Sequence, residues 1–254
     1  MTLREIRETL ARSGLRPLKQ FGQNFLHDEN LCRLIATALP PETNRHVIEI
    51  GPGLGALTEF LLADGWTVDA IEIDRGLAKV LRERFGHLTS FHLHEADALA
   101  CLNTLRPVTR LIGNLPYNIT TPLLVESLRM RGVDFAAVLL VQKEVAARLA
   151  ATPSTPDWGA LSVLVQTVCQ VERLRDLDGH LFHPPPDVAS TVIRLTAHAQ
   201  PVLPLESEAH FYQMVRQGFS QRRKKLKHLL PIDLDARAEE LTLTEWHRLY
   251  EQLR

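Results

Sequence analysis

Cysteine is scarce in this sequence of 254 residues, and that scarcity already excludes some classes of protein. The only cysteines are Cys32, Cys101 and Cys169, and none of them stands in a C-x-x-C pair. Neither a zinc site nor a disulfide framework is therefore indicated, and we expect no metal. Unpaired cysteines are typical of a reducing compartment, so we expect a cytoplasmic protein.

Long hydrophobic runs and an excess of charge are also missing. The longest apolar run, Phe135 to Val141, is far too short to span a bilayer, so we expect no membrane association. The first nineteen residues are strewn with Arg and Glu, which argues against a signal peptide. Because 29 Lys and Arg face 30 Asp and Glu, any nucleic-acid surface must come from local clusters of basic residues.

The patterning that is present predicts an α/β fold. Beginning at His46, short β-branched runs alternate with helical patterns, which indicates βαβ units and a mostly parallel sheet covered on both faces. After a linker at 197–204 the β-branched character fades, and the remainder is predicted to be helical. The predicted strands are 47–50, 67–73, 90–94, 108–112, 135–141, 168–174 and 191–195. The predicted helices are 3–13, 28–39, 56–62, 75–85, 120–129, 143–151 and 158–166.

Two segments show neither the hydrophobic periodicity of a helix nor that of a strand. Phe21 to Leu26 is rich in amides and aromatic rings, and is either a surface loop or a lid that folds over a ligand. Phe182 to Pro186 contains three consecutive prolines, and we predict no regular structure there.

The tetrad Asn114-Leu115-Pro116-Tyr117 follows a predicted strand, at the edge where open parallel sheets bind ligands. Its groups suit a flat ring that carries an amine. The Asn114 side-chain oxygen and the Leu115 backbone carbonyl can accept hydrogen bonds from such an amine. Pro116 restricts Leu115 to extended geometry, and the Tyr117 ring offers a stacking face. The alternative is a plain strand-to-helix turn in which Tyr117 only packs.

A glycine-rich turn, Gly51-x-Gly53-x-Gly55, lies between a predicted strand and a predicted helix. Glycines there allow a tight turn and close approach to a ligand, and Glu72 at the end of the next strand is placed to bind ribose hydroxyls. The turn indicates a cofactor that carries adenosine, without excluding a dinucleotide. Asp97-Ala98 adds a carboxylate for an adenine amine, or else a helix N-cap. The tetrad offers no proton donor or acceptor suited to hydride chemistry, which favours methyl transfer.

Taken in order, these motifs resemble the ribosomal RNA small-subunit adenine N6,N6-dimethyltransferases of the KsgA type. The resemblance runs almost from end to end of the chain. It rests on the segments 21–26, 49–58, 72–74, 97–98, 114–119, 142–146, 159–162, 182–188 and 219–226.

The resemblance implies a Rossmann-like class I methyltransferase sheet with an antiparallel strand at its end, followed by a small all-helical domain. We expect the first domain, with its N-terminal lid, at 1–198. The second domain, expected at 199–254, would bind RNA or the ribosome. The near-neutral charge is a departure from what we expect of such an RNA binder, and it leaves the extent of the phosphate-binding surface in doubt.

The implied activity is dimethylation of N6 of two adjacent adenosines in the 3′-terminal hairpin loop of 16S rRNA, within a pre-30S particle during ribosome biogenesis. S-adenosyl-L-methionine would be the cofactor and S-adenosyl-L-homocysteine the product, and we expect a monomer. Phe182 would stack on the adenine opposite Tyr117, unless it is a core aromatic beside the proline turn. The residues expected to bind cofactor are Gln23, Asn24, Leu26, Gly51, Gly53, Gly55, Glu72, Asp97, Ala98 and Asn114.

One basic stretch is the candidate RNA-binding surface. It comprises Arg222, Arg223, Lys224, Lys225 and Lys227. The nearest acids, Asp233 to Glu240, come later in the chain, so we expect the basic stretch to be unneutralised and to contact phosphates. The alternative is an ordinary solvated helix face.

Other functions remain open at this point. A related enzyme could act on large-subunit rRNA or on DNA, although the 219–226 motif and helical tail argue against it. A ribosome-assembly factor would use its RNA binding more than its catalysis, and a nicotinamide enzyme is a remote fourth possibility.

Overall fold

In the described residues of this computed structural model, the strands form one sheet of seven and one of two. The structure describes residues 1–18, 21–41, 43, 45–105, 107–117, 119–203 and 205–254, without the side chains of 205 and 206. Asn118 in the predicted 114–119 motif and Pro204 in the predicted linker lie outside the described residues. The strands are β1 Phe25–Leu26, β2 His46–Ile50, β3 Thr67–Glu72, β4 Phe91–Glu95, β5 Val108–Asn114, β6 Arg131–Gln142, β7 Cys169–Leu177, β8 Phe182–His183 and β9 Ser190–Ala197.

Helices alternate with these strands as the patterning predicted. The helices are α1 Leu3–Arg12, α2 Glu29–Thr37, α3 Ala56–Ala63, α4 Arg75–Phe85, α5 Ala98–Leu102, α6 Thr120–Arg129, α7 Lys143–Leu149, α8 Ala160–Val168, α9 Leu205–Gly218 and α10 Leu243–Leu253. Asp28 caps α2 by accepting the Leu31 amide, as expected of an acid at that position. No helix in the described ranges is long and apolar enough to cross a membrane.

The order of the seven strands is β4-β3-β2-β5-β6-β9-β7. The pairs among β2 to β6 are parallel, and β9 runs antiparallel to β6. The predicted sheet, mostly parallel with an antiparallel strand at its end, is confirmed. Four successive residues of β2 are buried, and because their side chains alternate between the faces, both faces are covered.

The strand order reverses between β2 and β5, and such a switch point opens a crevice at the carboxyl ends of the strands. Ile50 pairs with Gly113 there, so the turn that follows β2 lies beside the end of β5. A side chain at Gly113 would overlap the Ile50 carbonyl, because a Cβ built there lies 2.4 Å from that oxygen. Close packing of these two strand ends thus brings the predicted cofactor turn next to the predicted tetrad.

The expectation of no regular structure at Phe182 to Pro186 is wrong for its first two residues. Phe182 and His183 form β8, which pairs antiparallel with β1 through Leu26 and Phe25. Both residues keep their backbone amides, since the prolines begin only at Pro184. A strand of two residues carries no period, and its partner lies more than 150 residues away, so the sequence pattern gave no signal.

The chain divides into two compact units. The first comprises Met1–Lys143 and Arg173–Thr196, and the second comprises Glu144–Glu172 and Ala197–Arg254. The second unit has its own core around Trp158, Phe211 and Trp246, and the predicted helical C-terminal region is confirmed. This unit also includes residues 144–172, which the sequence analysis placed in the first domain. The functional division at residue 198 stays a prediction.

Candidate active site

A cavity of about 280 Å³ lies at the carboxyl edge of the sheet in the first unit. Its wall is built from the ends of β2, β3 and β5, the glycine-rich turn, and the segment around β1. Nearly all the residues predicted to bind cofactor line it. They are Gln23, Asn24, Leu26, Gly51, Gly53, Glu72, Asp97, Ala98 and Asn114.

The glycines of the glycine-rich turn have two roles: two of them line the cavity, and the third allows α3 to pack. Gly51, Gly53 and Gly55 all have positive φ, at 63°, 60° and 84°, which disfavours any side chain. Gly51 and Gly53 line the cavity, whereas Gly55 is not on its wall. A Cβ at Gly55 would lie 2.4 Å from the Phe85 ring, so this glycine lets α3 begin against α4.

Glu72 is a buried carboxylate at the end of β3 that faces the cavity. Its two oxygens accept the amides of Gly53, at 3.1 Å, and Asp74, at 2.9 Å. Burial outweighs these hydrogen bonds and raises the pKa of Glu72 to about 7. Because each oxygen still has accepting capacity, Glu72 is suited to receive hydroxyl donors from a ligand.

A second buried carboxylate, Glu49, was missed as a site residue. Glu49 is 1% exposed, lines the same cavity, and accepts the Thr58 hydroxyl at 2.7 Å. Burial raises its pKa to about 7, and the neighbouring charge of Glu72 adds to the rise. The available signal was an acid inside the otherwise apolar strand β2, where unpaired charge is costly. Two buried carboxylates on one cavity favour a ligand with hydroxyl donors or positive charge.

Asp97 fills one of the two roles that the sequence left open, that of a helix N-cap, and the adenine contact stays a prediction. Its Oδ1 accepts the Ala100 amide at 3.2 Å and so caps α5. The residue is exposed and also lines the cavity, beside the buried Ala98. The capping bond uses one oxygen, and the other can accept from an amine.

The segment predicted as a loop or a lid lies on the cavity wall. Gln23 accepts the Leu18 amide at 2.8 Å and donates to Asp74 at 3.0 Å, which ties the segment to the start of α4. Asn24 donates to the Gly22 carbonyl at 3.0 Å. Leu26 belongs to β1 and is buried in the core below the cavity. The position on the wall agrees with a ligand-covering role.

Asn114 ends β5 with its amide held in one orientation. Its Nδ2 donates to the backbone carbonyl of Asn24 at 2.8 Å. Because only the nitrogen can donate to a carbonyl, the side-chain oxygen is left as an acceptor. The next residue, Leu115, is anchored by its amide to Leu140 at 3.1 Å, and its side chain is buried.

The two aromatic residues are placed differently from Asn114. Tyr117 is half-buried, and its hydroxyl lies 2.6 Å from the Ser190 hydroxyl. Burial raises the pKa of Tyr117, and the bond to Ser190 lowers it in part. Phe182 is 3% exposed and packs in the core with Leu26. Neither ring is on the cavity wall among the described residues, and the burial of Phe182 agrees with the core alternative. Stacking on a base stays a prediction for both.

Comparison with known proteins decides the family. The family model described as ribosomal RNA adenine dimethylase matches residues 15–247. The chain belongs to this family. A Pseudomonas aeruginosa protein named ribosomal RNA small subunit methyltransferase A is 41% identical, over 94% of this chain and 95% of its own length. A Hahella chejuensis protein of the same name is 41% identical, over 93% and 92%.

Two solved structures of similar fold extend the comparison. The crystal structure of the 23S rRNA methyltransferase ErmE is 28% identical, has a TM-score of 0.70, and aligns over 91% of this chain and 99% of that one. A dimethyladenosine transferase from Plasmodium falciparum is 22% identical with a TM-score of 0.74, over 90% and 97%, and supports the fold. This adenine dimethylase is therefore an enzyme of the Rossmann-like methyltransferase fold.

We expected the basic stretch in the second unit to be unneutralised, and for three of its five residues this expectation is wrong. Asp235 pairs with both Lys225 and Lys227, and Glu239 lies 3.6 Å from Arg222. The two lysines hold the pKa of Asp235 down to about 2. The later acids fold back because residues 219–228 form turns and a short 3-10 helix, with Lys225 bridged to Arg237, and not a continuous helix. The spacing of these residues along the sequence does not predict the ion pairs, because they depend on how the chain turns between them.

The other two members of the stretch differ. Arg223 and Lys224 are exposed and have no ion pair with any residue in the described part of the chain. Phosphate contact stays a prediction for all five residues, and it now has the strongest basis for these two. Among the described residues no group of His, Cys, Asp and Glu is arranged to hold a metal ion.

Proposed function

We propose that this chain dimethylates N6 of two adjacent adenosines in the 3′-terminal hairpin loop of small-subunit (16S) rRNA. The methyl donor is S-adenosyl-L-methionine, and the product is S-adenosyl-L-homocysteine. The substrate is the RNA within a pre-30S particle in the cytoplasm, the enzyme acts as a monomer, and the reaction belongs to ribosome biogenesis. The observation that carries the proposal is the orientation of Asn114, whose amide oxygen is left free to accept at the cavity.

The cavity suits the proposed cofactor by the chemistry of its groups. Apolar contacts from Ile73, Leu77 and Ala98 provide a surface for a flat base, and Asp97 accepts from its amine. Glu72 accepts ribose hydroxyls, and Glu49 adds negative potential beside it. Gly51 and Gly53 leave room for the cofactor because they have no side chains, and Gln23, Asn24 and Leu26 line the cavity around it.

Bound S-adenosyl-L-methionine supplies an electrophilic methyl group. The amine of adenine is a poor nucleophile because its lone pair is delocalised into the ring. The Asn114 side-chain oxygen and the Leu115 carbonyl accept its two N–H groups, which draws the nitrogen toward tetrahedral geometry and aims the lone pair. The protein thus contributes orientation, which can supply roughly 7–11 kcal/mol. No strong base is needed, because the alkylated amine loses its proton to water.

The target adenosine has to leave its stack, at a cost of a few kcal/mol. Tyr117 offers it a stacking face. Phe182 is proposed for the opposite face, and because it is buried it would have to move to reach the base. Arg223 and Lys224 provide the phosphate contacts, with Arg222, Lys225 and Lys227 as partly neutralised neighbours.

Asn114→Ala tests the proposal directly. We expect transfer of labelled methyl groups to small-subunit particles to fall by about 10²–10³-fold, as when one preorganised polar group is removed from an active site. Asn30→Ala, at an exposed position of α2, is the matched control and should retain activity. Equal turnover by Asn114→Ala would reject the role of Asn114.

A second candidate substrate is large-subunit rRNA, which the likeness to ErmE keeps in view. The identity of 41% to small-subunit enzymes, against 28% to ErmE, favours the small subunit. Mass spectrometry of rRNA from a strain that lacks the gene separates the two, because the dimethyladenosines disappear from one RNA only. An assembly role can coexist with catalysis, and Tyr117→Ala would then lose methylation and still bind immature subunits.

A further inference from the structure

The hydroxyl of Tyr117 is occupied by a partner that no catalytic step requires. The Tyr117 oxygen and the Ser190 Oγ are 2.6 Å apart, a short distance for two neutral hydroxyls. Ser190 is fully buried, at 0% exposure, in the antiparallel strand β9. The phenol oxygen of Tyr117 is therefore held by a protein partner on the sheet.

Ser190 itself is held firmly by the sheet. It pairs with Gln142 across β6 and β9, and the preceding carbonyl, of Ala189, accepts the Lys143 amide at 2.9 Å. The following side chain, Thr191, donates to Asp176 at 2.8 Å, and Asp176 in turn pairs with Lys143 at 2.8 Å. The backbone that carries the Ser190 hydroxyl is therefore fixed on both sides of the residue.

The other end of the Tyr117 side chain is held by its own loop. The Pro116 carbonyl accepts both the Ile119 amide, at 3.1 Å, and the Thr120 hydroxyl, at 3.0 Å. These bonds fix the backbone around Tyr117 but do not act on its side chain. A hydrogen bond at the para position does act on the side chain, because it fixes the far end of the ring.

We propose that Ser190 is a positioning residue that holds the Tyr117 ring, through its hydroxyl, in the one tilt that presents its face to the target base. This inference rests on the stacking role proposed above for Tyr117. It assigns the catalytic contribution of Tyr117 to the ring face and not to the phenol proton. It also makes β9, far from the tetrad in sequence, part of the substrate site.

The decisive experiment is a double-mutant cycle with Ser190→Ala and Tyr117→Phe. Each change breaks the same hydrogen bond and leaves the aromatic ring in place. We expect each to lower kcat by roughly 3- to 10-fold, the range that one hydrogen bond supports, with unchanged binding of S-adenosyl-L-homocysteine. The double variant should be no slower than either single variant, since the bond can be lost only once. Additive losses would overturn the proposal, as would an unchanged kcat in Ser190→Ala.

A spectroscopic readout separates positioning from general destabilisation. In protein labelled with 3-fluorotyrosine, the fluorine signal of Tyr117 is assigned as the one missing in Tyr117→Phe. Ser190→Ala should shift that signal and raise the pKa of its phenol, because the Ser190 bond lowers it. The matched control is Ser127→Ala, which also removes a buried serine hydroxyl, but one that donates to the Leu123 carbonyl within α6. An unshifted Tyr117 signal in Ser190→Ala would reject the tether.

Tyr117→Ala distinguishes this inference from the function on which it rests. If Tyr117→Ala methylates as well as the natural protein, the stacking role itself fails. If Tyr117→Ala is inactive while Ser190→Ala is unaffected, stacking stands and the tether fails.

Discussion

The cavity of the first unit and the basic stretch of the second use charge in opposite ways. Glu49 and Glu72 are buried side by side, so their ionised forms are disfavoured and their pKa values rise to about 7. Asp235 is exposed between two lysines, and its pKa falls to about 2. The first arrangement is poor for the stability of the protein alone and becomes favourable when a ligand supplies donors. In the second arrangement the charge of Asp235 is neutralised by partners within the chain.

The largest effect should come from Glu72. Glu72→Gln removes one charged acceptor for ribose hydroxyls, and hydrogen bonds to charged groups are worth about 1.5–3 kcal/mol each. We expect affinity for S-adenosyl-L-homocysteine, measured by calorimetry, to fall about 10²–10³-fold. Glu83→Gln, an exposed position on α4, should bind normally. Normal binding by Glu72→Gln would show that the cavity carboxylate is only structural.

The cost of burying the ionised Glu49 carboxylate should appear as a dependence of the free energy of unfolding on pH. The pKa of Glu49 is about 7 in the folded chain and near 4.5 in the unfolded chain, so the folded state binds more protons between these values. The free energy of unfolding therefore falls as pH rises from about 4.5 to 7. Glu49→Gln removes this loss and should be more stable than the natural protein at pH 8, by about 1–3 kcal/mol.

The difference for Glu49→Gln should vanish below pH 4.5, where both states of the natural protein are protonated. Urea unfolding without cofactor at pH 4 and pH 8 gives the two values. Equal stability of the two proteins at pH 8 would mean that Glu49 carries no such cost.

Smaller effects are expected at the unpaired cations of the second unit. Arg223→Ala and Lys224→Ala should each raise the KM for small-subunit particles a few-fold and reduce the salt dependence of binding by about one counterion. Arg248→Ala, exposed on α10 of the same unit, is the control for a general loss of charge. An unchanged salt slope in both test variants would place the phosphate contacts elsewhere.

The smallest effect, and the sharpest contrast with Glu49, is at Asp235. Asp235→Asn frees Lys225 and Lys227, and the free energy of unfolding should hardly change because the ion pairs are exposed to solvent. Binding to RNA should become equal or tighter by a few-fold, with a steeper salt dependence. Asp233→Asn, an exposed neighbour, should change neither. Weaker RNA binding by Asp235→Asn would show that the bridge orders the RNA-binding surface.

The alternating elements of the first unit were predictable because each is specified locally. The boundaries predicted for Arg75 to Phe85 and Thr120 to Arg129 match α4 and α6. The turn at Gly51, the acid at Glu72 and the tetrad at Asn114 each end a strand, and parallel strands bring their carboxyl ends to one edge. The nine predicted residues on the cavity wall follow from that rule together with the family resemblance.

Other features depend on partners that are distant in sequence. The pairing of β1 with β8, the bond from Tyr117 to Ser190 and the ion pairs of Asp235 join residues between 8 and 158 positions apart. Glu49 carried a local signal, an acid within an apolar run, but its position beside Glu72 arises only when β2 and β3 pair. No local pattern encodes such contacts.

The sequence by itself determined the order of strands and helices, the turn that requires glycine, and the chemical groups available at the strand ends. It could do so because hydrophobic period, backbone preference and side-chain chemistry act over a few residues. The tertiary structure decided which of those groups are left unsatisfied and which neutralise one another. That outcome depends on burial and on distances of about 3 Å between segments far apart in the chain, and it exists only once they have packed.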